Sequence, residues 1–346
     1  MEVNCLLKDK LPAPMDGGFH MKDYWIWCGS VIKGEDSRYH MFASRWSKEY
    51  SMHPGWIFQS EIVRAVADKP EGPYTYAETV LPQRGAQYWD GRVTHNPFIT
   101  KCEDTYILYY MGTTFPFHKL TAQNTRTEDE KYLVAQSNKR IGIATSKSIF
   151  GPWIRRSTPV LNVRPDHFDS FLTSNPAPYL AEDGSVHLVY KARSYVNNAM
   201  GKMLLGAAYA KHYEGPYDIR GNQPLFSMVG DSSEHGLIED PFIWREHSNF
   251  YMIAKDMTGI ICGEKYAGLL ASSSDGLDWK LHHGIKTYSR SILWNDGKIR
   301  EMGSFERPFI LFEDQKPRYL FAATSDGTDG FGNAANTWNM VIPLAQ

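Results

Sequence analysis

One compound pattern recurs along this chain and limits its fold more than any other feature. From Gly236 to Lys255 (GLIEDPFIWREHSNFYMIAK) a polar pair, Glu239 and Asp240, precedes a proline and an apolar strand, Phe242 to Trp244. A polar turn, Glu246 to Asn249, leads into a second strand, Phe250 to Ala254. The same order begins at His95 (HNPFITKCEDTYILYYMG), Ser174 (SNPAPYLAEDGSVHLVYKA) and Glu306 (ERPFILFEDQKPRYLFAAT). A fainter copy without the proline begins at Cys28 (CGSVIKGEDSRYHMFAS). Five copies of one unit indicate a solenoid, a propeller or an array, because a single copy cannot bury its own apolar face.

A second pattern follows the first. EIVRAVA runs into KPEGPYTY, and IGIATSKSIFGPWIR, LGAAYAKHYEGPYDI and LLASSSDGLDWKL have the same form. Each is a small-residue strand, a turn with Gly-Pro or Gly-Leu, and an aromatic edge strand. Proline is tolerated on an outer strand and breaks an inner one, which places these segments at the edge of a sheet. The full unit is four short antiparallel strands, and radial repetition of such units is a β-propeller. The sequence therefore predicts an all-β, five-bladed β-propeller forming one domain over residues 1–346. Its blades cover approximately 16–76, 88–155, 166–219, 234–281 and 301–344. The last blade lacks a Gly-Pro strand, so the N-terminal strand near Val3 is expected to close the ring. The long polar segment Thr113 to Asn138 reads as a loop over one face, with a short helix as the alternative.

Composition agrees. Hydrophobic residues make up 42% and aromatics 14%, enough for a large β core and for surfaces that stack on sugar rings. A formal net charge of −2 with no basic tract argues against a nucleic-acid partner, and no apolar run is long enough to span a membrane. The four cysteines, Cys5, Cys28, Cys102 and Cys262, show no paired spacing and read as free thiols. The expectation is a soluble monomer or small homo-oligomer, periplasmic or secreted if a leader has been removed and otherwise cytoplasmic.

Two sets of residues carry chemistry. Seven positions before each strand-opening proline stand Asp90, Asp169, Glu234 and Glu301, with Asp23 in the fainter copy. Asp90 and Asp169 share matching contexts, WDGRVTHNP and FDSFLTSNP. The second set occupies the start of each inner strand: Cys28/Gly29, His95/Asn96, Ser174/Asn175, Glu239/Asp240 and Glu306/Arg307. Inner strands of a propeller start at one face around the axis, so these polar groups are expected to converge in a funnel suited to a polyhydroxylated ligand. Arg92, Lys191, Arg193, Lys255 and Arg307 lie in or beside the same repeats and point to an acidic group on that ligand, such as a uronate or sulfate. Trp25, Trp27, Trp89 and Trp244 are candidate stacking platforms.

These motifs carry a resemblance. The four-strand unit with its GPY/GPW edge, and the Glu-x-Pro of LIEDPFIW, resemble the five-bladed propeller glycoside hydrolases of family 43 and the related families 32/68 and 117. The resemblance implies acid–base hydrolysis of a glycosidic bond with Glu239 as general acid. Asn175 stands where the pKa-modulating Asp would fall, leaving that role to Asp169 or Asp240. WCGSVI replaces the Asp-Pro of the first blade, so the base is expected from Asp90, Asp23, Asp16 or another loop. The family 117 type also makes His95 a candidate acid. The expected set is Glu239, Asp90 and Asp169 as catalytic residues. Trp89, Arg92, His95, Asn96, Asn175, Lys191, Asp240, Glu306 and Arg307 are expected to bind an oligosaccharide or polysaccharide. The expected activity is exo-acting removal of a terminal or side-chain sugar, with no cofactor or catalytic metal and with room for a structural Ca²⁺ in the axial channel. A non-catalytic carbohydrate-binding propeller and a phosphorylase or transglycosylase on the same fold are the alternatives.

Overall fold

The computed structural model describes residues 10–117, 127, 130–197, 199–226, 236–328, 330 and 332–345. The first blade comprises β1 (Tyr24–Lys33), β2 (Tyr39–Ser47), β3 (Glu61–Ala67) and β4 (Thr75–Leu81), with the short helix α1 (Trp56–Gln59) between β2 and β3. The second comprises β5 (Val93–Cys102), β6 (Thr105–Thr113), β7 (Arg140–Ser146) and β8 (Ile154–Arg155). Helix α2 (Glu130–Ser137) fills part of its long connection. In the third, β9 (Leu172–Leu180) and β10 (Val186–Arg193) are followed by a small hairpin, β11 (Tyr195–Val196) and β12 (Ala199–Met200), before β13 (Leu204–Ala210) and β14 (Asp218–Arg220). The fourth comprises β15 (Ile238–Glu246), β16 (Asn249–Asp256), β17 (Gly268–Ser273) and β18 (Lys280–Leu281). A second hairpin, β19 (Ser291–Leu293) and β20 (Ile299–Glu301), leads to the fifth, β21 (Ser304–Glu313), β22 (Lys316–Ser325) and β23 (Thr337–Pro343).

All strand pairs within the blades are antiparallel, and the inner strands touch in the closed order β1, β5, β9, β15, β21 and back to β1. This is the five-bladed propeller that the repeats predict. The fifth blade has three strands, and the N-terminal segment supplies its edge: Lys10 bridges to Leu344, and the Leu11 N–H donates to the Pro343 carbonyl at 2.9 Å. The strand expected near Val3 lies outside the described residues. Pro73, Pro152 and Pro216 stand two residues before β4, β8 and β14, in the turns that lead into the outer strands. A turn uses proline's fixed φ at no cost in ladder hydrogen bonds.

Each inner strand carries the same irregularity. Cys28, Asn96, Asn175, Asp240 and Arg307 all have positive φ, from 49° to 56°, at a break in register with the second strand. Such a bulge sets two residues of one strand against one of its neighbour and re-aims side chains. Both members of the pairs His95/Asn96, Glu239/Asp240 and Glu306/Arg307 therefore reach the axial cavity, where a regular strand would send one to each face. Asn and Asp accept this conformation readily, whereas at Cys28 and Arg307 it costs roughly 1–2 kcal/mol that the surrounding sheet must offset. One residue past the prolines, Phe98, Phe242 and Phe309 meet with ring centroids 5.3–5.9 Å apart and fill the axis with apolar contacts. The expected funnel is thus closed below the polar pairs.

Candidate active site

The five positive-φ residues form a hydrogen-bonded ring across the axis. The Cys28 thiol donates to Asn96 Oδ1 at 2.6 Å, Asn96 Nδ2 donates to Asn175 Oδ1 at 2.6 Å, and Asn175 Nδ2 donates to Asp240 Oδ1 at 2.8 Å. The Arg307 N–H donates to Asp240 Oδ2 at 3.2 Å, and its guanidinium lies 3.8 Å from Asp240 Oδ1. Burial pushes the Cys28 thiol well above its ordinary value, against the attraction of Arg307 beside it, which keeps it a neutral donor. The Asn oxygens and Asp240 are spent within this ring, and a guanidinium stands among them. Ca²⁺ takes six to eight oxygen ligands, so these donors do not fit it. Among the described residues no group of three or more His, Cys, Asp or Glu side chains is placed to hold a metal.

Above the ring lies a cavity of about 550 Å³. Its charged lining comes from all sides: Lys191 and Arg193 on β10, Glu239 on β15, Lys255 on β16, Glu306 and Arg307 on β21, and Lys139 just ahead of β7. Lys191 and Arg193 alternate with Ala192 along one strand and so share its cavity face. Glu239 and Lys255 are opposite each other in the β15–β16 ladder.

The two glutamates differ electrostatically. Glu239 accepts from Lys191 Nζ and, at 2.8 Å, from Lys255 Nζ. Burial alone would raise its pKa, but the two ammonium groups outweigh this and hold the carboxyl well below its usual range. Glu306 lies 3.0 Å from the same Lys255 Nζ. Burial dominates at this second carboxyl, Asp240 and Glu239 repel its charge, and one shared lysine does not compensate, so its pKa rises to about 7. Lys255, itself buried, is pushed up by the three carboxylates around it and stays charged. The resemblance implies Glu239 as the proton donor; here its two lysines favour the ionised form of that carboxyl, whereas burial favours the protonated form of Glu306. Glu306 is the carboxyl that holds a proton near neutrality.

His95 stacks on Trp56 (ring centroids 4.8 Å apart), meets the edge of Trp46 and shares a 2.8 Å hydrogen bond between Nδ1 and Ser60 Oγ. Burial, with Lys139, Arg307 and Lys191 nearby, pushes it well below its ordinary value, so it is a neutral imidazole and not a charged acid. Lys139 is 2% exposed, with Nζ 5.2 Å from the centre of the Trp56 ring. Burial and the neighbouring Lys191 and Arg193 lower its pKa well below that of a free lysine. Trp27, Trp46, Trp56, Tyr132 and Tyr266 supply the aromatic lining.

The expected residues divide cleanly. Glu239, Asp240, His95, Asn96, Asn175, Lys191, Glu306 and Arg307 converge on the cavity, as do Arg193 and Lys255. Asp90, Asp169, Trp89 and Arg92 are not brought to it. Asp90 is fully buried and accepts from Arg84, from Arg155 at 3.4 Å and from the Tyr110 hydroxyl at 2.7 Å. Asp169 repeats this with Arg164 at 3.1 Å and Tyr190 at 2.8 Å. Both carboxylates anchor the start of a blade by tying it to the second strand. Trp89 stacks on Tyr110 over Gly112 and Gly142, where an added Cβ would come within 2.6 Å of its ring. Arg92 lies against Phe115. Asp16 and Asp23 are exposed, Glu301 pairs with Arg290 at the surface, and Glu234 lies outside the described residues. Trp25 and Trp244 are core. Sequence reasoning missed Lys139, His53, Trp56, Tyr132 and Gln136, which sit on connections outside the repeats.

Fold and cavity together define a five-bladed propeller with an acid- and base-lined axial pocket. The chain is similar in structure to Zg3597, a family 117 glycoside hydrolase of the marine bacterium Zobellia galactanivorans (TM-score 0.64, 13% identity, covering 96% of this chain and 89% of that one). It is also similar to a thermostable family-43 glycoside hydrolase (TM-score 0.61, 13% identity, 93% and 90% covered). A third similar structure is a Cellvibrio cellulosa α-L-arabinanase complexed with arabinohexaose (TM-score 0.57, 15% identity, 94% and 93% covered). No protein-family model and no curated protein matches the sequence. At these identities the likeness is one of fold.

Proposed function

We propose that the protein is a glycoside hydrolase in which Glu306 protonates the leaving oxygen and Glu239 is the ionised carboxylate. The observation that carries this reading is the pair of buried glutamates bridged by Lys255, one held ionised and the other holding its proton to about 7. Environments that drive two carboxyl pKa values apart are how one site supplies both an acid and a base. Glycosidic cleavage needs that combination: a proton for the departing oxygen, and a carboxylate that activates water or attacks the anomeric carbon. The shared ammonium sets an upper limit of about 6 Å on the gap between the nearest oxygens of the two glutamates, which is compatible with the separation of about 5–5.5 Å of retaining enzymes. Asp240, tied into the axial ring, adds negative charge beside Glu306 and helps to keep it protonated.

The closed floor and the volume of about 550 Å³ favour capture of one end of a glycan over threading of its middle. The substrate in this reading is a terminal or side-chain sugar of a plant or algal polysaccharide, by analogy with the similar arabinanase bound to arabinohexaose. The excess of lysine and arginine over carboxylates in the lining favours a sugar that bears an acidic group. The test is incubation of wild type and Glu306→Gln with a panel of polysaccharide oligomers. Single-sugar release by wild type alone is expected. No release from any glycan by wild type would refute the reading.

A further inference from the structure

The cavity holds two cations that its catalytic pair does not use. Glu239, Asp240 and Glu306 face Lys191, Lys255 and Arg307, which pair with them at the distances given above. Lys139 and Arg193 remain. Among the described residues no carboxylate lies within ion-pair distance of either one. Arg193 spends one nitrogen on the Gly201 carbonyl at 2.7 Å, and Lys139 Nζ lies over the Trp56 ring at the cavity wall. A lysine that is 98% buried without a counter-ion is expensive to keep charged, and a protein retains one where something arrives to neutralise it. Helix α2 places Tyr132 and Gln136 on the cavity and ends two residues before Lys139, so one short stretch of chain lines the site and delivers the lysine.

We propose that Lys139 and Arg193 form a subsite for an oxyanion on the substrate sugar, a carboxylate or a sulfate, on the Glu239 side of the cavity. The inference rests on the glycoside hydrolase reading and assigns its acidic group to particular residues. Arg193 offers a planar fork to two oxygens and Lys139 a point charge, a combination suited to carboxylate or sulfate. The titratable and charged groups around Lys139 are Lys191 and Arg193 from β10, Glu239 from β15, His95 from β5 and His53 just ahead of α1. Burial, with Lys191 and Arg193 beside it, disfavours charge on the Lys139 amine, and an anion bound there favours it, so binding of an acidic sugar is expected to be linked to proton uptake at Lys139.

Calorimetric titration of wild type with galacturonate, glucuronate, galactose 6-sulfate and galactose, at neutral pH in two buffers of different ionisation enthalpy, tests this. An acidic sugar is expected to bind about tenfold or more tighter than galactose, with proton uptake, and the uronate and sulfate arms identify the oxyanion. Lys139→Met and Arg193→Met should each weaken acid binding by about tenfold, and Lys139→Met should abolish the uptake while circular dichroism stays native. Aryl-uronides and matched hexosides provide the second readout: the ratio of kcat/KM between them should fall in both variants. Equal binding of galactose and the acids, or acid binding insensitive to Lys139→Met, would overturn the subsite even if glycosides are hydrolysed. Acid binding lost in both variants without cleavage of any glycoside would uphold the subsite and overturn the hydrolase reading. Cleavage that requires added phosphate would overturn it as well, by giving the two cations to phosphate.

Discussion

Glu239 and Glu306 meet at one ammonium: Lys255 Nζ lies 2.8 Å from the first and 3.0 Å from the second. A second lysine, Lys191, binds Glu239 alone, and that asymmetry drives the two carboxyl groups apart. Replacing Glu239 with Gln removes the ionised partner. The expected loss in kcat is about 10²- to 10⁴-fold, with sugar binding by titration retained. Retained turnover in Glu239→Gln would move the role elsewhere.

The pH profile follows from the same asymmetry. Glu306 donates only while protonated. Burial raises its pKa from 4.5 to about 7, so the proton is present below that value and lost as pH rises through it. Glu239 must be ionised, and its two lysines keep it so to well below 4.5. The expected kcat/KM profile is flat from mildly acid pH and falls on a basic limb near 7. A basic limb in the range of a free lysine or tyrosine would contradict the assignment.

Lys255→Met should raise that limb, because the charge that favours ionised Glu306 is gone. It also leaves buried carboxylates short of a counter-ion, at a cost of about 3–5 kcal/mol in stability at neutral pH. Denaturant unfolding and the pH profile of the same variant check both expectations. A shift of the limb toward lower pH would contradict this account of Glu306.

Asp90 lies outside the cavity and should behave differently. Asp90→Asn leaves Arg84 and Arg155 without their anion, and a stability loss of about 3 kcal/mol is expected by denaturant unfolding. kcat per folded molecule should stay within about twofold of wild type, since the side chain touches neither glutamate. A loss of kcat with stability intact would return Asp90 to the chemistry.

The ring was legible because it repeats. Cys28, Asn96, Asn175, Asp240 and Arg307 hold one position in five copies of a pattern, and a propeller brings that position to its axis. Asp90 and Asp169 misled for the same reason, since a repeated carboxylate that anchors a blade reads like one that faces a ligand. The tyrosines that bind them, Tyr110 and Tyr190, stand at matching places on the second strands and were the available signal. Lys139 and Trp56 were not legible, because they come from connections that no repeat constrains. The division of labour between Glu239 and Glu306 was hidden too: it depends on Lys191, which reaches Glu239 from the neighbouring blade.

The most direct test compares Glu306→Gln with wild type on aryl-glycosides whose leaving groups differ in acidity. A dinitrophenolate departs without a proton, whereas an alkylphenolate needs one. The account predicts that the variant loses about 10²-fold or more in kcat/KM on the poor leaving group and less than about tenfold on the good one. Equal losses on both substrates would contradict Glu306 as the proton donor.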